Sequence, residues 1–206
     1  AGLAALMLGE ADISGIHLYD IPSGEYNLPF LERSWPSGGV CLVRGYLREQ
    51  GLMFKRRNPK RISGFEDLRR KDVRLVNRNI GSGTRELLDR LLEQNNIPAM
   101  SVRGYNHEVR THDEVAKAIN DGTADVGLGL RANAENHSLG FVKVCEESFD
   151  FAIDARRFKK EQVQKFLEVL RSEAFKEAVT KNARGIRLLA STGELITREH
   201  SQGCRA

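Results

Sequence analysis

The chain has 206 residues, with 32 basic against 28 acidic side chains, a formal net charge of +4 and 40% hydrophobic residues. This is the composition of a folded chain with enough apolar residues for a sizeable core. The longest uncharged run, Ser34 to Val43, has ten residues and contains Pro and Gly, so a membrane span of about 20 apolar residues is excluded.

The basic surplus is mild. It comes as short clusters, Lys55-Arg56-Arg57 and Arg69-Arg70-Lys71, rather than as the concentrated basic face of a nucleic-acid binder. Direct nucleic-acid binding and membrane attachment are therefore not expected. A positive cleft for a small anion needs only a few charges. The three cysteines, Cys41, Cys145 and Cys204, lack Cys-x-x-Cys spacing. They are expected to be two reduced strand cysteines and one in a tail, which suits the cytoplasm.

In chain order, Gly2 to Gly9 reads as a short helix and Asp12 to Leu18 as a buried strand. Tyr19 to Gly39 reads as an ordered loop with a short helix at most. Val40 to Tyr46 reads as a strand. Ser63 and Glu66 have capping-box spacing, which predicts a helix to about Arg70. A strand over Val73 to Asn77 is followed by a helix over Thr84 to Asn95, with Leu87, Leu88, Leu91 and Leu92 on one face. Val102 to Tyr105 reads as a strand. Thr111 and Glu114 predict another capped helix, ending at Gly122. Strands are expected at Asp125 to Leu130, Phe141 to Val144 and Phe149 to Ile153. A long amphipathic helical region then runs from Val163 to Val179, broken near Arg171 to Ala174. The tail from Ser201 is expected to be disordered.

Strand and helix alternate almost throughout, the signature of α/β layering with mostly parallel strands. Ligands of such sheets bind beyond the carboxyl ends of the strands. That rule selects His17 to Asp20, Asn77 to Thr84, Tyr105 to His107, and Leu128 to Arg131.

The sharpest local signal is Asn77-Arg78-Asn79-Ile80-Gly81-Ser82-Gly83-Thr84-Arg85, between a strand and a helix. The glycines permit close backbone approach. Ser82 and Thr84 offer hydroxyls, and the first helical amides face outward with the positive end of the helix dipole. Arg78 and Arg85 add planar cationic forks. These parts make an oxyanion site. The alternative is a plain glycine turn with Ser82 or Thr84 as N-cap. The loop is neither a Walker A loop, nor G-x-G-x-x-G, nor a nucleophile elbow. No histidine spacing suits a metal, and no carboxylate pair suggests acid/base catalysis. His17 closes a buried strand at the crevice. It is read either as a ligand contact or as a core-edge histidine satisfied by backbone.

The stretch Asn77 to Arg85 resembles the N-R-x-x-G-S-G-T-R segment of the periplasmic-binding-protein-like (type II) domain of molybdopterin-biosynthesis proteins and helix-turn-helix regulators. That domain is related to molybdate- and tungstate-binding proteins. Further matches follow in order: Gly2-Leu3-Ala4-Ala5-Leu6, Gly15-Ile16-His17-Leu18, Gly24-Glu25-Tyr26-Asn27, Asn58-Pro59, Thr111-His112, Ala124-Asp125-Val126-Gly127-Leu128-Gly129 and Thr192-Gly193-Glu194. The resemblance covers roughly residues 1 to 196. It implies a two-lobed α/β fold with crossover strands and an interlobe cleft. Lobe one would be 1–54 plus 146–206, and lobe two 55–145. The family's first strand and Gly-Ser turn are expected to be missing through truncation at the N-terminus. By resemblance, Arg78, Ser82, Gly83, Thr84 and Arg85 would hold an oxyanion from lobe two, and His17 would approach from lobe one. The implied ligand is molybdate, tungstate or a molybdopterin-type phosphate, without catalytic residues, resident cofactor or metal. The implied role is molybdenum-cofactor biosynthesis or molybdenum sensing in the cytoplasm. The alternatives are the effector domain of a helix-turn-helix transcription regulator and an accessory domain of a molybdopterin-biosynthesis enzyme. A homodimer is left open.

Overall fold

The computed structural model describes residues 2–35 and 39–196. The chain divides into two compact units, residues 1–48 with 147–206, and residues 49–146. The lobe boundaries implied by the resemblance fall after residue 54 and before residue 146. Two 16-residue strands, β4 (Val40–Lys55) and β8 (Leu139–Asp154), pass from one unit to the other.

The first unit opens with α1 (Gly2–Met7) and β1 (Ile13–Ile16). The region expected as loop holds a small hairpin, β2 (Tyr19–Asp20) with β3 (Glu25–Tyr26), and then α2 (Leu28–Ser34). Proline in the first turn suits the start of α2, because it has no amide to leave unsatisfied. In the sheet, β8 lies between β1 and β4, and Ile13 opposes Ile153 in an antiparallel register. The unit closes with α6 (Glu161–Arg171), α7 (Glu173–Asn182), β9 (Ile186–Leu188) and β10 (Leu195–Ile196). Both short strands pair antiparallel with β4. The break expected near Arg171 is real: Ser172 adopts an extended backbone and caps α7 through Phe175 N. Val163, Leu167 and Leu170 pack with Val43 and Ile153.

The second unit contains β5 (Leu75–Arg78), α3 (Gly83–Gln94), β6 (Glu108–Val109), α4 (His112–Asp121), β7 (Val126–Leu130) and α5 (Arg131–Asn136). β5 is central and pairs parallel with both β6 and β7, while β4 pairs antiparallel with β7. The expectation of mostly parallel strands therefore holds only for this trio; the pairs described in the first unit are antiparallel. Leu87, Leu88 and Leu92 of α3 pack on Leu52, Leu75, Val126 and Leu128. On another cluster, Val115 and Ile119 of α4 meet Met53 and Val76.

Three local expectations change. The turn predicted to be a helix from Ser63 is a 3-10 helix, Phe65–Arg69, in which Asp67 accepts from the Ser63 and Gly64 amides. No strand forms over Val102 to Tyr105, where Gly104 has φ 87 and the strand follows at Glu108. The strands expected at Phe141 and Phe149 are one strand, β8. Cys41 is disulfide-bonded, which corrects the reading of two reduced strand cysteines; Cys145 carries a thiol. Cys204 and the tail expected to be disordered lie outside the described residues. Among the described residues, no helix is long and apolar enough to cross a membrane.

Candidate functional site

The parallel trio sets one edge of the second unit. The carboxyl ends of β5, β6 and β7 lead respectively into the loop before α3, into α4 and into α5. The loop after β5 is held from both sides. Asn77 Oδ1 accepts the Arg78 amide at 2.9 Å, and Asn79 N donates to the Val109 carbonyl at 3.0 Å. Gly81 takes φ 82, a conformation that a side chain would strain, and the chain turns there into α3.

Ser82 is the N-cap of α3, with its Oγ accepting from Arg85 N at 3.2 Å. Arg85 N and Glu86 N also reach the Ser82 carbonyl. The amides of Gly83 and Thr84 have no such acceptor within the helix, because they belong to its first turn. The start of α4 differs. There Glu114 folds back, and its carboxylate accepts the Arg110 and Thr111 amides at 2.7 and 2.9 Å. One helix start in this unit already holds its own carboxylate, and the other has first-turn amides and the Ser82 hydroxyl, with the half-buried Arg78 four residues before that cap.

Thr84 is 2% exposed, and its Oγ1 accepts from Gln50 Nε2. Its hydroxyl is thus engaged inside the unit, while its amide belongs to the helix start. Arg85 is 6% exposed. Its Nε bonds both Asp89 oxygens, and its Nη1 bonds Glu108 Oε1 at 2.7 Å. The guanidinium lies 4.3 Å from the Tyr105 ring centroid, and Tyr105 OH donates to Asp89 at 2.7 Å. Burial opposes the charge on Arg85, but Tyr105, Glu108 and Asp89 outweigh it and raise its pKa. Nη1 also reaches the Arg78 carbonyl at 3.4 Å. Arg85 is thus a brace between α3, β6 and the end of β5. Asp89 stands four residues after Arg85, a helical pairing legible in sequence. Gln50, Tyr105 and Glu108 carry no such signal.

His17 belongs to the first unit. It follows β1, its ring stacks on Phe149 at 5.9 Å between centroids, and Nδ1 lies 3.4 Å from Glu147 Oε2, too poorly aligned for a hydrogen bond. Glu147 is buried and also takes Arg48. Beside this pair, fully buried Asp150 accepts from Gly45 N at 3.0 Å and from Asn27 Nδ2 at 2.8 Å. Neither reading of His17 from sequence had a charged partner in it. Among the described residues, no group of three His, Cys, Asp or Glu side chains could hold a metal ion.

Residues 1–171 match the PBP superfamily domain. A Bacillus subtilis (strain 168) relative, the uncharacterized protein YvgK, is 37% identical over 169 residues, which are 82% of this chain and 54% of that protein. The chain therefore spans about half the length of that relative. Among solved structures, a Clostridium perfringens substrate-binding protein assigned to phosphate ABC transport, with phosphate bound, aligns at TM-score 0.65 and 16% identity, over 91% of this chain and 83% of that one. The regulatory domain of MetR, a LysR-family regulator from N. meningitidis, aligns at TM-score 0.58 and 10% identity, over 92% of this chain and 80% of that one. At these identities the two structures show the fold.

Proposed function

This chain belongs to the PBP superfamily, and on that premise we propose that it is a binding domain for a small oxyanion. The ligand sits at the start of α3, held by the Gly83 and Thr84 amides, the Ser82 hydroxyl and the Arg78 guanidinium. The observation that carries this reading is the contrast between the two helix starts of the second unit. Glu114 already fills the start of α4, whereas α3 is capped by the Ser82 side chain, bonded to Arg85 N, and the exposed Glu86 of its first turn bonds no backbone amide among the described residues. Amides, a hydroxyl donor and the dipole converge there on negative charge without the cost of burying a counter-charge. The phosphate-bound neighbour of the same fold is in keeping with this ligand class.

The finer reading takes molybdate, tungstate or the phosphate of a molybdopterin as ligand, in cofactor assembly or molybdenum sensing. It rests on the resemblance of Asn77 to Arg85 and of the ordered blocks around it. In this reading Arg85 serves the site as a brace.

Thermal melting with phosphate, molybdate, tungstate, arginine and glutamate tests the proposal. A bound oxyanion at about 100 times its dissociation constant adds about 2.7 kcal/mol. A rise with molybdate or tungstate well above that with phosphate supports the finer reading. Equal rises leave only the oxyanion class, and a rise with amino acids alone overturns both.

A further inference from the structure

The net positive charge of this protein is concentrated in one segment. Residues 55–72 carry eight basic and three acidic side chains, a net +5, against +4 for the whole chain. The remaining residues therefore sum to −1. The three acids are already engaged: Glu66 with Arg69, Asp67 with Arg70, and Asp72 with Arg70 and Lys60. Lys55, Arg56, Arg57 and Arg61 are exposed and enter no ion pair among the described residues.

The turn that carries them is rigid. Asn58 Nδ2 donates to the Ile62 carbonyl at 2.9 Å, and Asn58 Oδ1 accepts the Ile62 amide at 2.7 Å. Ile62 is buried in the core of the second unit, which pins the turn there. Asn58 and Arg61 take left-handed φ of 46 and 52. For a residue such as Arg61 that conformation costs about 1 kcal/mol. Four exposed like charges thus fall within seven residues, at the end of β4 and on an ordered, strained turn.

We propose that the 55–61 turn is a docking surface for an acidic segment of another polypeptide, whose carboxylates pair with Lys55, Arg56, Arg57 and Arg61. Arginine forks match carboxylates two bonds at a time. Two features favour a polypeptide over a nucleic acid. No aromatic ring stands out of the segment to stack a base, since its one aromatic residue, Phe65, is buried. The acids Glu66, Asp67 and Asp72 also interrupt any continuous phosphate track, while discrete carboxylates can be set between them.

The test uses a fluorescein-labelled decaglutamate peptide, a 12-mer single-stranded DNA and the full chain at low salt, read by anisotropy. The peptide is expected to bind, and to be released as salt rises. The triple variant Arg56→Glu, Arg57→Glu, Arg61→Glu should weaken binding about tenfold or more. The control Lys159→Glu, Lys181→Glu, Arg184→Glu removes the same charge from exposed positions of the first unit and should leave binding within about threefold. Phosphate titration of each variant confirms that the fold and the α3 site persist. Equal loss in both variants reduces the effect to net charge and overturns the proposal. So does absence of peptide binding, and so does DNA binding tighter than the peptide's.

Discussion

Thr84 Oγ1 accepts a hydrogen bond from Gln50 Nε2 at 3.3 Å, and both residues are buried. A hydroxyl that sequence alone assigns to the ligand is therefore buried, and its oxygen ties β4 to the start of α3. Thr84→Val should cost about 1–3 kcal/mol of stability, because a buried amide loses an acceptor. Phosphate affinity should change less than about threefold, since the backbone amide remains. Urea unfolding beside calorimetric titration separates the two effects, and Thr84→Ser should recover most of the stability.

Arg78 should behave in the opposite way. It stands at the end of β5, half-buried, directly before the turn. Arg78→Ala is expected to weaken anion binding at least about thirtyfold, or about 2 kcal/mol. Binding as tight as the parent's in a folded Arg78→Ala would remove this arginine from the site.

Arg85 braces Asp89, Glu108 and Tyr105, and both carboxylates are partly exposed. Arg85→Ala should lower stability by about 1–3 kcal/mol, since solvent screens what is left behind. Arg85→Lys keeps the charge but not the fork, so it should restore little of the loss. Thermal melts of the two variants measure this.

Acid should weaken the first unit through Asp20. Hydrogen bonds from Arg33, then Ser23, hold its carboxyl at about 2, against an ordinary 3.8. A depressed folded value means that the stabilisation is present above pH 4 and is lost as pH falls towards 2. Asp20→Asn should therefore melt below the parent at pH 6, with the gap closing across that window. A gap independent of pH would show that the carboxylate charge is not the source.

Gly104 is the residue where the expected strand fails. At φ 87 a Cβ would run into the Leu75 carbonyl oxygen. Gly104→Ala combines strained backbone with a clash against backbone, and should cost more than about 2 kcal/mol. Chemical denaturation gives the value.

Local chemistry made much of this fold legible. Ser82 and Thr111 are N-caps, Gly122 takes the left-handed turn after α4, and Ser172 breaks the long helical region. The extent of β4 and β8 was not legible. Leu47-Arg48-Glu49-Gln50 and Cys145-Glu146-Glu147-Ser148 read as polar interruptions, because period-two burial fails where charges are paired rather than solvated. Glu147 is paired with Arg48, and Glu49 with Arg131 and Lys143. At the candidate site, the glycines and the cap mark the turn into α3. The roles of Thr84 and Arg85 depend on Gln50 and Glu108, which lie 34 and 23 residues away. No local spacing records such partners.

The pairing of β1 with β8 carries a consequence for the newly made chain. Ile13 waits for Ile153, whereas all the strands that pair β5 lie between residues 108 and 130. During synthesis the second unit has its whole sequence outside the ribosome once residue 146 emerges, while the first still lacks half of its sheet and both of its long helices. The stretch from Gly2 to Arg48 is therefore the part that a chaperone would shelter, and truncations after residue 146 should expose β1.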